Sequence, residues 1–125
     1  MNRLEISSTP NTPLVSFDPV KGELKLEGRS IPENPGEFYD DLVAWLADYF
    51  KSPAPKTVFD INLEYVNSGS SKYLLGLFRV FKDAFAAGID IEIQWFYEED
   101  DEAIEGLGEH YKSTMEIPFK MVEYI

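Results

Sequence analysis

The segment Tyr65-Val66-Asn67-Ser68-Gly69-Ser70-Ser71-Lys72 sets three hydroxyl side chains and a cation almost in succession. It also lies where a predicted strand gives way to a predicted helix. The first N–H groups of a helix have no intrahelical partners and carry the positive end of its dipole. A phosphoryl group on Ser68 would therefore meet N–H donors at once, with Lys72 close in sequence. It would bring about −1.5 to −2 charges and three strong acceptors to one point. Gly69 gives the backbone freedom to bring donors close. The plainer reading is that Ser68 or Ser70 caps the helix, since serine is a favoured N-cap. On these residues alone both readings stand, and capping is the commoner use. The spacing does not fit G-x-x-x-x-G-K-[ST], so a nucleotide loop has no support.

Other chemistry-bearing residues are sparser. Glu98-Glu99-Asp100-Asp101-Glu102 reads as the solvated start of a helix, where acids complement the dipole, and it lacks the spacing of a calcium loop. Asp60 and Glu64 share a strand face about 13 Å apart at the usual rise per residue. Paired-carboxylate hydrolases hold their carboxyls about 5–9.5 Å apart, so the two do not form such a pair. His110 is the only histidine and the chain has no cysteine, which leaves no sulfur ligand and no His pair for a metal. Neither a metal nor a cofactor is expected. A small hydrolase or ligand-binding domain using Ser68, His110 and an acid is a rival reading.

The elements that must position these residues follow from periodicity. Residues 3–6 suggest a short strand, and 14–18 with 23–27 a hairpin around Asp18-Pro19-Val20-Lys21-Gly22. Asn34-Pro35-Gly36-Glu37 opens a helix with Asn34 as N-cap, Pro35 in the first position and Glu37 able to reach back. Phe38, Leu42, Trp45, Leu46 and Tyr49 make its apolar stripe, and Ser52-Pro53-Ala54-Pro55 ends it. A strand over 56–65 sets Phe59, Ile61, Leu63 and Tyr65 against Asp60, Asn62 and Glu64. The second helix, to about residue 87, has the stripe Leu74, Leu77, Phe78, Phe81 and Phe85 and stops at Gly88. A strand over 89–97 alternates strictly, a weaker helix covers 101–113, and 119–124 supplies a last strand. Trp45 and Trp95 fall in register with these stripes and read as core.

Strands buried on both faces read as nearly continuous apolar runs. Here carboxylates and amides occupy every second place, so one sheet face meets water and the helices gather on the other. The expected fold is a two-layer α/β sandwich of a mixed β-sheet with helices packed on one face, in one domain over 1–125. Eleven basic against 23 acidic residues give a net charge of −12. That balance opposes nucleic acid and anionic membranes, whose binding requires phosphate neutralisation. With no leader-like opening and no apolar run near about 18 residues, a cytoplasmic location is expected.

The residues also carry a family likeness. Pro32-Glu33-Asn34 before the first helix, Tyr65-Val66-Asn67-Ser68 with Ser70 and Lys72, Trp95-Phe96-Tyr97 and the closing Pro118-Phe119 resemble, in order and spacing, the SiaC-type regulatory phosphoproteins. That bacterial family has a fold similar to STAS domains and SpoIIAA-like anti-anti-sigma factors. The resemblance implies a non-enzymatic protein with a phospho-acceptor after the Asn matched by Asn67, which is Ser68, with Ser70 and Ser71 as alternates. Asn67, Gly69, Ser70 and Lys72 would then form the phosphate loop and partner interface. The family acceptor is commonly Thr, and Ser keeps the hydroxyl. Gly69 stands where a second hydroxyl residue is usual. The implied partners are a dedicated protein kinase, a PP2C-like phosphatase and a diguanylate cyclase, which links the chain to cyclic-di-GMP signalling. An anti-anti-sigma-like partner-switching module, binding an anti-sigma factor, is the alternative within the same fold.

Overall fold

The hairpin forms because Asp18 Oδ1 accepts from the N–H groups of Val20 and Lys21 at 3.0 and 3.3 Å, closing the turn. The computed structural model describes all residues, Met1–Ile125. Its elements are β1 (Leu4–Ile6), β2 (Leu14–Asp18), β3 (Glu23–Ser30), α1 (Pro35–Tyr49), β4 (Thr57–Val66), α2 (Ser68–Ala86), β5 (Ile91–Glu98), α3 (Glu102–Met115) and β6 (Phe119–Tyr124). All six strands form one sheet in the order of the sequence. β1–β2–β3 are antiparallel, and β3–β4, β4–β5 and β5–β6 are parallel. Each parallel step is a crossover through one helix. Right-handed crossovers that all step the same way place their helices on the same face.

The alternation selects that face. Val15, Phe17, Leu24, Leu26, Phe59, Ile61, Leu63, Ile91, Ile93 and Trp95 share one buried cluster with Leu42, Leu46, Leu74, Leu77, Phe78 and Phe81 of the helices. Phe78 is its hub, with ring centroids 4.9 Å from Tyr111, 5.7 Å from Phe119 and 6.3 Å from both Phe59 and Trp95. The opposite face carries Lys25, Asp60 and Gln94 in one row and Glu27, Asn62 and Phe96 in another. The two-layer sandwich expected from the alternation is the fold observed.

Several local expectations change. β3 runs on to Ser30, and at Gly28 (φ 125) a conformation that favours glycine accompanies a slip in register. Gly28 faces Leu63 while Arg29 faces Tyr65, so Glu64 has no partner and forms a bulge. The bulge reverses the phase of β4: Tyr65, predicted to point inward, is 53% exposed, and Val66 packs against the core instead. Phe85, predicted to be buried, is 38% exposed, and Ala84 takes its place in the core. In α1 the buried positions are Gly36, Tyr39, Leu42, Leu46 and Tyr49, with Phe38 and Trp45 half-buried at the margin. Gly88 does end the second helix, at φ 96 just past the C-cap Ala87.

Gly108 marks the tightest approach of helix to sheet. A Cβ there would lie 2.5 Å from Trp95 Nε1 and 2.8 Å from Met121 Cε. Gly76 and Gly106, also helical, have nothing within 4 Å of that position. Gly108→Ala is therefore expected to destabilise the protein by about 1–3 kcal/mol through overpacking. Gly76→Ala and Gly106→Ala should stabilise it by roughly 0.5–1 kcal/mol through helix propensity. Urea unfolding of the three variants measures the contrast.

Candidate functional site

Each helix that follows a parallel strand begins at the carboxyl edge of the sheet, and each is capped by a short polar side chain. Asn34 Oδ1 accepts from Glu37 N–H at 3.3 Å, Asn67 Oδ1 from Ser70 N–H at 2.8 Å, and Asp101 Oδ1 from Ile104 N–H at 3.0 Å. The cap of α2 is thus Asn67, not Ser68 or Ser70, which corrects the capping role open to those serines. Asn67 is itself fixed from the sheet side, its N–H donating to Ser30 O at 3.0 Å. The acidic run before α3 supplies that helix's cap and first turn, as its composition suggested.

With Asn67 as cap, Ser68 becomes the first residue of α2 and lies exposed. Its own N–H and that of Gly69 fall outside the intrahelical ladder. Gly69 is exposed and helical, with no left-handed φ. A Cβ there would make an ordinary contact, 3.5 Å from Pro35 Cγ at the start of α1, so the position does not itself require glycine. The first residues of α1 and α2 therefore lie close together next to Ser68. Lys72 is exposed one turn further on, with no ion pair. The other two hydroxyls differ. Ser71 Oγ is half-buried and donates to Ser68 O at 2.9 Å, whereas Ser70 is 0% exposed and its Oγ has no hydrogen-bond partner.

Residues that sequence reading did not single out build the surroundings. Tyr65, turned outward by the bulge, and Tyr73, 38% exposed, stand near the junction in sequence on either side of Ser68. Tyr73 stacks on buried Tyr39 at 6.2 Å. The Tyr39 hydroxyl hydrogen-bonds to buried Ser30, the same residue whose carbonyl holds Asn67. From α3, Tyr111 Oη donates to Ser71 O at 2.8 Å. The Ser30–Tyr39 pair spans nine positions across a loop, and no local pattern announces it. His110 is exposed on α3, and none of the five surface cavities is lined by it or by Ser68. The geometry thus offers a hydrolase no substrate pocket at these residues.

Two expectations follow for this junction. Asn67→Ala should cost about 1 kcal/mol and fray the start of α2, and Asn67→Asp should recover most of it, measured by urea unfolding. Burial pushes the Tyr39 hydroxyl up to about 12 from 10.0, with the Ser30 hydrogen bond pulling the other way. Burial raises Tyr111 as well, with Tyr39 adding to the effect. Above pH 10 the unfolded chain releases the Tyr39 proton first. Its contribution is therefore complete below that pH and is lost as the pH climbs toward 12. Tyr39→Phe should remove up to about 1.4 kcal/mol per pH unit of that slope in alkaline unfolding titrations.

Comparison with known proteins follows the same geometry. An uncharacterised protein of Pseudomonas aeruginosa (strain UCBPP-PA14) is 26% identical over 119 residues, spanning 95% of this chain and 94% of its own length. The crystal structure of apo-SiaC from Pseudomonas aeruginosa, 25% identical, superimposes with a TM-score of 0.90 over 98% of this chain and 99% of that one. A second structure, of the diguanylate cyclase SiaD in complex with its activator SiaC from the same organism, gives 25% identity and a TM-score of 0.91. It covers 97% of this chain and 99% of that one. The model of the SiaC family regulatory phosphoproteins matches residues 6–124, and the chain belongs to that family.

Proposed function

We propose that this chain is a non-enzymatic regulatory domain over 1–125, switched by phosphorylation of Ser68, that binds and activates a diguanylate cyclase in the cytoplasm. The observation that carries the reading is the position of Ser68. It is the exposed first residue of α2, close to the start of α1, and follows a cap that is itself tied to the sheet. Of the two alternates, Ser70 is closed to a kinase by its burial, and Ser71 already spends its hydroxyl on Ser68 O. Membership of the family and the likeness to an activator bound to its cyclase support the choice of partner. No helix is long and apolar enough to cross a membrane.

The switch acts through charge at a contact. Unphosphorylated Ser68, with Asn67, Gly69 and Lys72 around it, presents a small surface, uncharged but for Lys72, that a partner can cover. A phosphoryl group brings about −1.5 to −2 charges to that surface. The two helix N-termini and Lys72 stabilise the dianion in water. A partner that covers it must strip that solvation, at a cost of several kcal/mol in order of magnitude. A dedicated kinase and a PP2C-like phosphatase would set the balance of the two states.

The test is calorimetric titration of a diguanylate cyclase from the same organism with four forms: unmodified, Ser68→Ala, Ser68→Asp and kinase-treated. The unmodified and Ala forms should bind alike. The kinase-treated form should bind at least about 100-fold more weakly, a loss of roughly 2.7 kcal/mol. Equal binding by all four would end the switch reading. Capture of an anti-sigma factor in place of the cyclase would move the partner to the alternative module.

A further inference from the structure

The sheet face that the helices leave bare carries features the switch does not use. Asp60 stands midway along β4, and its Oδ1 is buried with no hydrogen-bond donor anywhere in the chain. Buried polar atoms without a partner in the chain are rare, and such an atom takes its donor from water or from a bound group. Lys25, its register partner on β3, makes no ion pair with it. Burial pushes the Asp60 carboxyl above the usual carboxylate range; Lys25 opposes this, and Glu92 and Glu23 reinforce it. Across the strands, Phe96 lies half-buried on this face, beside Val122 of β6. It belongs neither to the core cluster nor to the half-buried apolar shell packed against that cluster. Between the two residues is an open cavity of about 220 Å³ lined by Lys25, Glu27, Asp60, Asn62 and Phe96. Asn62 is held in place there, its Oδ1 accepting from Tyr124 Oη at 3.0 Å.

We propose that this cavity receives the guanidinium of an arginine side chain from a protein partner, with Asp60 and Glu27 accepting its N–H donors and Phe96 lying against its plane. Three features select that group. A guanidinium presents five donors in a flat fork that matches carboxylate oxygens, so it satisfies Asp60 Oδ1 without having to lose a proton. Its plane stacks on an aromatic ring, which an ammonium does less well, and Phe96 offers a free one. The chain's net charge of −12 draws cations to it. Lys25 is exposed and long enough to turn its ammonium into water. The lining comes from three neighbouring strands of an open sheet face, which suits a side chain reaching in from a flat protein surface. That face lies on the far side of the sheet from the helices, so binding should be the same in the native chain and in Ser68→Asp.

The experiment is an amide proton–nitrogen correlation titration of the full chain with Nα-acetyl-arginine amide, with Nα-acetyl-lysine amide and with free arginine. The capped arginine should produce saturable shifts at the amides of Asp60, Asn62 and Phe96. The capped lysine should bind at least about threefold more weakly. Asp60→Asn, which keeps the side-chain shape, and Phe96→Leu should each weaken capped arginine about tenfold while their spectra otherwise stay native. Absence of saturable shifts at those amides into the tens of millimolar would overturn the inference, as would equal binding of the lysine compound. Unchanged affinity in either variant would overturn it too. Free arginine binding about tenfold tighter than the capped form would assign the cavity to a small molecule and also overturn the partner reading.

Discussion

A right-handed crossover between parallel strands covers one face of the sheet or the other, depending on which way the next strand is laid down. In this fold β3, β4, β5 and β6 are added in a single direction, so α1, α2 and α3 share one face. Two consequences reach the rest of the structure. All three helix N-termini collect at the carboxyl edge of the sheet, which brings α1 and α2 together at Pro35 and Gly69. The other sheet face is left without a layer, and the polar half of every central strand lies there. Had one crossover stepped back, that half would have been buried under a helix, with Asp60 and Glu92 beneath it.

Packing then fixes how firmly the junction is held. Three tyrosine hydroxyls on the helices reach partners across element boundaries: Tyr39 to Ser30, Tyr49 to Thr57 and Tyr111 to Ser71 O. Trp95 Nε1 adds a fourth tie, to Ile104 O at 2.9 Å. An aromatic ring fills core volume while its polar tip needs a partner, so each tie sets direction as well as burial. That of Tyr111 reaches the first turn of α2 directly, and that of Tyr39 reaches Ser30, whose carbonyl accepts from the Asn67 N–H. Ser68 sits on that immobilised turn yet remains in solvent.

The two surfaces described here are chemically distinct. The Ser68 junction is small and electrostatically receptive to an anion, because the start of α2 and Lys72 lie there and the start of α1 is in contact with it. The bare sheet face pairs an unsatisfied carboxylate oxygen with an unattached aromatic ring, which is receptive to a planar cation. One sheet with helices on one side is enough to separate them.

Much of this was legible in the residues themselves. Period-two alternation in β4 and β5 gave the strands and their buried side, because a half-covered sheet imposes exactly that rhythm on its side chains. Asn34-Pro35 and the glycine at 88 marked helix ends through local backbone chemistry, and the hydroxyl-rich turn after Asn67 marked the junction. What the sequence could not settle depends on neighbours distant along the chain. The bulge at Glu64 arises from pairing with Gly28, so Tyr65 turns outward against its own alternation. Phe85 yields its core position to Ala84. The burial of Ser70 and the isolation of Asp60 Oδ1 are likewise tertiary. A residue's own type fixes what bonds it can make, but only the packed neighbours decide which of them it is left without.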